Sequence, residues 1–324
     1  MQQHINHTSM SFQLNTRNLL LPFISCLLPL LVSCQSGLDE ASSQEGECTV
    51  NFLVTNYRQI SFDDIASSGQ TRAVASDHPT TLAHLQIAIY DVETGKQACP
   101  LIRHDQSDYT REDQWESYRQ FSVTLPYGHY RVLVLGYNGS RACNITSLNH
   151  ISWAEDYVPN TFLYCEEFTL NEGANLNKRV TLKHLVAAFR VMSEDLTPNE
   201  LKKMRFISTA GGTVLDAMTG FTTQNTGRTS DIVVPSNHLG IRDTFTVYLF
   251  LPEEQIIVDN YTVQALGQGD AVLYQKRFSN VPLRINYLTE WEGKFFEKST
   301  DEEFDAGISV YWETKWADTL KINP

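Results

Sequence analysis

Apolar and polar residues alternate with a period of two over much of this chain, the repeat of strands buried on one face. The run Thr49-Val50-Asn51-Phe52-Leu53-Val54-Thr55 is rich in β-branched and aromatic residues, so residues 48–57 read as a first strand. Residues 66–81, dense in Ser, Gly, Thr and Asp, read as a loop. Leu85, Ile87 and Ile89 mark one face of a strand over 82–90, with its turn at 91–95. Residues 121–125 and 130–137 predict a hairpin around Pro126-Tyr127-Gly128, in which Gly128 takes a positive φ. Residues 168–170 and 180–192 predict further strands. In the second, Val186, Ala188, Arg190 and Met192 alternate against Ala187, Phe189 and Val191.

Thr197-Pro198-Asn199-Glu200 predicts one short helix, with Thr as cap, Pro in the first position and Glu closing a capping box. Strands return at 204–208, 213–216, 231–235, 244–251, 261–266 and 273–278. Short runs spaced by Gly, Asn, Asp and Pro, with no βαβ alternation, indicate an all-β chain of antiparallel β-sandwiches. A boundary near residue 190 divides it into domains at 48–190 and 191–324.

The N-terminus carries a different pattern. A polar segment whose only full charge is Arg17 precedes an apolar run from Leu19 to Val32, which ends in Leu31-Val32-Ser33-Cys34. Charge, apolar core and small residue in that order mark an export signal too short to span a bilayer. A cysteine directly after Ser33 makes it a lipoprotein signal, with cleavage between Ser33 and Cys34 and a diacylglycerol on the Cys34 thiol. Residues 1–33 are then signal, residues 34–47 a polar spacer, and the tether is lipid rather than helix.

Hydrophobic residues at 42% allow a real core, and a net charge of −13 repels phosphate backbones, which speaks against nucleic-acid partners. Of six cysteines, Cys26 leaves with the signal and Cys34 takes the lipid. Cys48, Cys99, Cys143 and Cys165 remain, an even number in an exported chain, so disulfides in one of three connectivities are expected. No Cys-x-x-Cys spacing supports zinc.

The search for chemistry is otherwise negative. There is no His-Glu-x-x-His, P-loop or Gly-x-Ser-x-Gly motif. Gly267-Gln268-Gly269 opens a dinucleotide-like run, but Val272 stands where the third glycine belongs, which leaves a hairpin turn. No two histidines sit at metal-ligand spacing. Asp301, Glu302, Glu303 and Asp305 lack the calcium-loop pattern and read as a solvated loop. Trp115, Trp153, Trp291, Trp312 and Trp316 are candidates to stack sugars, with core packing as the default for each. Neither an enzyme nor a cofactor is expected.

Several of these segments together resemble the fimbrillin-like lipoproteins of Bacteroidales, nearest to FimB-type fimbrial anchor subunits. The resemblance rests on Cys34 followed by Cys48-Thr49-Val50-Asn51-Phe52, and on Leu85-Gln86-Ile87-Ala88-Ile89-Tyr90-Asp91 leading to Gly95. Leu125-Pro126-Tyr127-Gly128-His129-Tyr130 with Gly136-Tyr137-Asn138 adds to it. So does the joining strand Val180-Thr181-Leu182-Lys183-His184-Leu185-Val186-Ala187-Ala188-Phe189-Arg190-Val191, where His184 stands in place of a more usual Arg. Pro282-Leu283-Arg284-Ile285-Asn286-Tyr287-Leu288-Thr289 and Gly293-Lys294-Phe295-Phe296 resemble a closing hairpin.

The resemblance implies two transthyretin-like β-sandwich domains, no catalysis, and assembly with other fimbrial subunits by β-strand addition, with the outer membrane held through the lipid. Residues 307–312 and 319–322 are then either donor strands or the strands that close the second domain's own sheet. Arg72 in Gln70-Thr71-Arg72-Ala73 lies where stalk and tip members are cut to free an acceptor groove, whereas an anchor stays uncut. Host or bacterial surface ligands remain open, as does a monomeric glycan-binding lipoprotein.

Overall fold

The computed structural model describes residues 46–56, 82–173, 175–297 and 308–312. Strands β1 (Glu47–Asn56), β2 (His84–Asp91), β3 (Ile102–Asp105), β4 (Gln120–Pro126) and β5 (Gly128–Asn138) come first. They are followed by β6 (Cys143–Ser147), β7 (His150–Trp153), β8 (Asn160–Leu170), β9 (Leu176–Thr181) and β10 (Lys183–His184). The second run comprises β11 (Ala187–Ser193), β12 (Lys203–Ser208), β13 (Arg228–Val233), β14 (Thr244–Leu249) and β15 (Gln255–Val258). It ends with β16 (Tyr261–Leu266), β17 (Val272–Phe278), β18 (Val281–Arg284), β19 (Tyr287–Gly293) and β20 (Ile308–Trp312).

The fold is all-β and made of two sandwiches. In the first, sheet β4-β1-β9 stacks on sheet β10-β8-β5-β2-β3. Period-two alternation builds its core: Phe121, Val123 and Leu125 of β4 and Leu85, Ile87 and Ile89 of β2 point inward to meet Val50, Phe52 and Val54. In the second, sheet β14-β11-β19-β20 faces sheet β13-β12-β16-β17 across Phe189, Val191, Phe206, Val247, Val263 and Trp291.

The two sandwiches are joined by a third buried cluster. The back of the five-stranded sheet offers Leu133, Leu135 and Tyr137, and the β6–β7 hairpin adds Ile151 and Trp153. Leu215, Ala217 and Phe250 come from beyond β11 and complete it. Paired backbone bonds between Ile151 and Leu215, at 2.8 and 2.9 Å, stitch this joint.

Several expected elements take a different form. The hairpin over 121–137 does not exist, because β4 and β5 lie in opposite sheets. Pro126-Tyr127-Gly128 is a corner between layers, held by the Tyr130 hydroxyl donating to the Pro126 carbonyl at 3.0 Å. Gly128 accordingly has no positive φ, and a Cβ there would meet the Tyr130 hydroxyl at 3.1 Å and its ring at 3.2 Å. The long strand over 180–192 is split into β9, β10 and β11, which serve three different sheets.

No helix forms at 197–200, since the Thr197 hydroxyl donates to the carbonyls of His238 and Ile241 instead of capping. The short α-helix among the described residues is α1 (Trp115–Tyr118). Residues 213–216 make isolated bridges rather than a strand. The expected closing hairpin is also divided, for β18 pairs with β15 while β19 pairs with β11 and β20. After β19 the chain turns inward, where the Asp195 carboxylate accepts the Phe295 and Phe296 amides at 3.0 and 2.7 Å.

Phe250 is fully buried in the joint, 5.6 Å from the Trp153 ring. Phe250→Ala should cost about 3–5 kcal/mol, the cavity penalty of a buried aromatic, read as a lowered midpoint in denaturant unfolding.

Candidate functional site

The chain's least ordinary segment is β1. It is the central strand of its sheet, antiparallel to β4 from Glu47↔Pro126 to Leu53↔Gln120 and parallel to β9 from Val50↔Leu176 to Asn56↔Thr181. Cys48, Val50, Phe52 and Val54 face the core, with Phe52 edge-on to Phe168 at 5.8 Å. Burial of Val50, Phe52 and Val54 stabilises this seat by roughly 5–9 kcal/mol.

Polar contacts fasten the opposite face. Asn51 donates to Asn177 at 3.0 Å and accepts from Ser122 at 2.8 Å, and the Thr49 and Thr124 hydroxyls meet at 3.1 Å. Without β1, β4 and β9 would flank an open slot with unpaired backbone on both sides and apolar pockets at alternate positions. Such a slot is suited to recognising an extended strand.

At the other end of the chain, β20 pairs antiparallel with β19, from Tyr287↔Trp312 to Trp291↔Ile308, at the edge of its sheet. It is the described part of the candidate donor segment 307–312, and it sits on this chain's own sheet.

The other sequence candidates are dispersed. Ser33, Cys34 and Arg72 lie outside the described residues, as do residues 301–305, 316 and 319–322. Trp153 and Trp291 are buried, at 3% and 4% exposure, and so cannot stack on a sugar. Trp115 is half-buried on α1. Gly267-Gln268-Gly269 belongs to the tight β16–β17 connection, where Gly269 has φ 65°. Among the described residues no group of three or more His, Cys, Asp or Glu is placed to hold a metal ion. No described helix is long and apolar enough to cross a membrane.

The four cysteines differ from expectation, for no disulfide links them. Cys48 belongs to the core of the first sandwich and Cys99 packs against it half-buried, whereas Cys143 and Cys165 pack against the joint cluster. Burial pushes the Cys143 thiol up to about 12 and Cys165 to about 11, and it also raises Cys99. At neutral pH these groups are protonated and poor nucleophiles.

Sequence reasoning missed the buried polar pair in the second sandwich. Arg190 is 0% exposed, its Nε 3.1 Å from the Thr246 hydroxyl and its Nη1 3.4 Å from Glu290. The signal was present, because Arg190 lies in a run of otherwise apolar residues and so had to be paired if buried.

A family model described as a family of unknown function, DUF6562, matches residues 42–323. The chain belongs to this family. Comparison with curated proteins gave no match. Among solved structures, a candidate adhesin of Bacteroides ovatus is similar at 12% identity and TM-score 0.44, covering 86% of this chain and 98% of the other. The C-terminally truncated tip fimbrial protein of Porphyromonas gingivalis is similar at 11% identity and TM-score 0.38, covering 82% and 98%. A fimbrial assembly protein of Parabacteroides distasonis is similar at 14% identity and TM-score 0.37, covering 82% and 94%.

Alkylation in denaturant without reductant should label Cys48, Cys99, Cys143 and Cys165 alike. In the native protein near pH 8, Cys143 and Cys165 should react far more slowly. Their raised values keep them protonated until strongly alkaline pH. Peptide mass spectrometry reads both, and a pair linked before reduction would restore the disulfide expectation.

Proposed function

We propose that this DUF6562 protein is a non-enzymatic subunit of a cell-surface fimbria, lipidated on Cys34 and joined to neighbouring subunits by β-strand addition. The observation that carries the reading is the seat of β1. This strand begins thirteen residues after Cys34, counting to Glu47, and fills the slot between β4 and β9. A lipid on Cys34 would therefore be coupled to the folded body through the central strand of the three-stranded sheet. In this reading, as long as β1 keeps its place and its connection, the subunit stays on the outer membrane as an anchor.

Arg72 lies between β1 and β2 in sequence. Cleavage after it would leave β1 and the lipid attached by non-covalent contacts alone, and their loss would open the slot to a neighbour's strand. That is the alternative of a processed stalk or tip subunit. The C-terminal edge supplies the complementary half of the assembly, since β20 can pair with β19 of its own chain or be exchanged for a partner's strand.

Mass spectrometry of the N-terminus, on protein from the cell envelope and from sheared fimbriae, separates these states. An acylated Cys34 in the envelope and at the fimbrial base is the expected result. A free Ala73 in fimbriae would replace the anchor with the processed subunit, and absence from fimbriae altogether would refute the fimbrial role.

A further inference from the structure

Among the described residues two strand pairs run parallel, β1 with β9 and β11 with β19, and every other strand pair is antiparallel. Their polarity has a mechanical meaning. The chain enters the first sandwich at the start of β1 and leaves β9 at Thr181; it enters the second at Ala187 in β11 and leaves β19 at Gly293. Tension on the N-terminal end of one strand and the C-terminal end of its parallel neighbour drags the two past each other lengthwise. All the rungs between them then share the load and must break together. An antiparallel pair pulled from adjacent ends opens one rung at a time.

We propose that these two pairs are force-bearing clamps arranged in series, so that the fold serves to transmit tension from the N-terminal tether to the distal end of the second sandwich. The proposal rests on the tethered-subunit reading above, which supplies the tension. Three observations converge on it. Each clamp has six register pairs, Val50↔Leu176 to Asn56↔Thr181 and Ala188↔Leu288 to Ser193↔Gly293.

The seams are also shielded from water, the first on its core-facing side and the second over most of its length, which limits competition for their hydrogen bonds. Val50, Phe52, Val54 and Val180 are at most 1% exposed, and Ala188, Phe189, Arg190, Val191, Leu288 and Thr289 at most 2%. Side chains brace the same seams: Asn51 to Asn177 at 3.0 Å and the Thr55 hydroxyl to the Val180 carbonyl at 3.3 Å in the first, Arg190 to Glu290 at 3.4 Å in the second.

The crossing between clamps is short, residues 182–186, so load leaving β9 arrives at β11 with little slack. By contrast, β20 is antiparallel to β19 with Trp312 opposite Tyr287, so a pull on its C-terminal end peels it first, at low force, before either clamp yields.

The test is single-molecule force spectroscopy on the full chain, held first by its two termini and then by its N-terminus and para-azidophenylalanine in place of Tyr127. The second geometry loads β1 against β4 from adjacent ends, because Glu47 lies opposite Pro126 and the Tyr127 amide bonds to Gly46. End-to-end pulling should give rupture forces severalfold higher than the N-terminus-to-127 geometry, since forced unfolding follows the loaded unfolding rate.

A second variant, Asn51→Cys with Asn177→Cys, locates the first clamp. The two positions are 126 residues apart and face each other across the seam. Oxidation should abolish one high-force event and shorten the released length by about 440 Å, at about 3.5 Å per residue. End-to-end forces equal to or below the comparator, or an unchanged release after crosslinking, would overturn the clamps. The N-terminal mass spectrum reports on the tether alone, so failure of the mechanics and failure of the fimbrial reading are seen separately.

Discussion

Five residues, 182–186, impose the constraint to which the rest of the structure conforms. They must carry the chain out of one core and into another without exposing a backbone rich in apolar side chains. Leu182 remains in the first core, and Leu185 and Val186 are buried in the joint. His184, between them, stacks on Phe162 at 4.5 Å and meets the side chains of Asn160 and Asn286 at 2.5 and 2.9 Å. Both contacts are to side-chain oxygens, the imidazole Nε2 meeting Asn160 Oδ1 and Nδ1 meeting Asn286 Oδ1. With the Asn286 amide donating to the Val186 carbonyl at 2.8 Å, this crossing is hydrogen-bonded to both sandwiches.

Because the crossing is so short, the faces brought together beside it had to be apolar. The back of the five-stranded sheet would otherwise expose Leu133, Leu135 and Tyr137 to water, and an antiparallel sheet with two apolar faces is not stable in solvent. Trp153 and Phe250 cover that face from opposite sides of the chain boundary. The joint is thus a core in its own right rather than a contact between independent bodies. It also explains why residues 213–217 abandon regular strand structure. Their task is to present Leu215 and Ala217 to the joint while pairing once with Ile151.

Much of the strand identity was legible in the sequence, because period two runs through elements such as β4, β12 and β14, whereas the short strands β3, β6, β7 and β15 gave no such signal. Partnership was not. Pro126-Tyr127-Gly128 has the composition of a hairpin turn, and nothing local says whether the next strand returns to its neighbour or crosses to the facing sheet. The unbroken β character of residues 180–192 likewise conceals two changes of sheet. Thr197-Pro198-Asn199-Glu200 has every local mark of a helix start, but its hydroxyl is claimed by carbonyls more than forty residues downstream, as at Ile241, 44 residues on. The candidate site shows the same division. The character of β1 was readable from Thr49 to Thr55, while its central place in a sheet depends on β9, a partner at a sequence distance where no pattern reaches.

That distance has a consequence in time. Asn51 faces Asn177, 126 residues later, and Arg190 faces Glu290, 100 residues later. The strand that emerges first must therefore wait for nearly the whole of its sandwich before it can be enclosed on both sides. Closing loops of this length costs entropy that only the final contacts return, which places the chain among slow folders with high contact order. During the wait, an apolar strand and its vacant seat coexist in separated form on one growing molecule. Any other extended apolar strand present then competes for the same place, so the fidelity of this fold is a contest of rates as much as of energies.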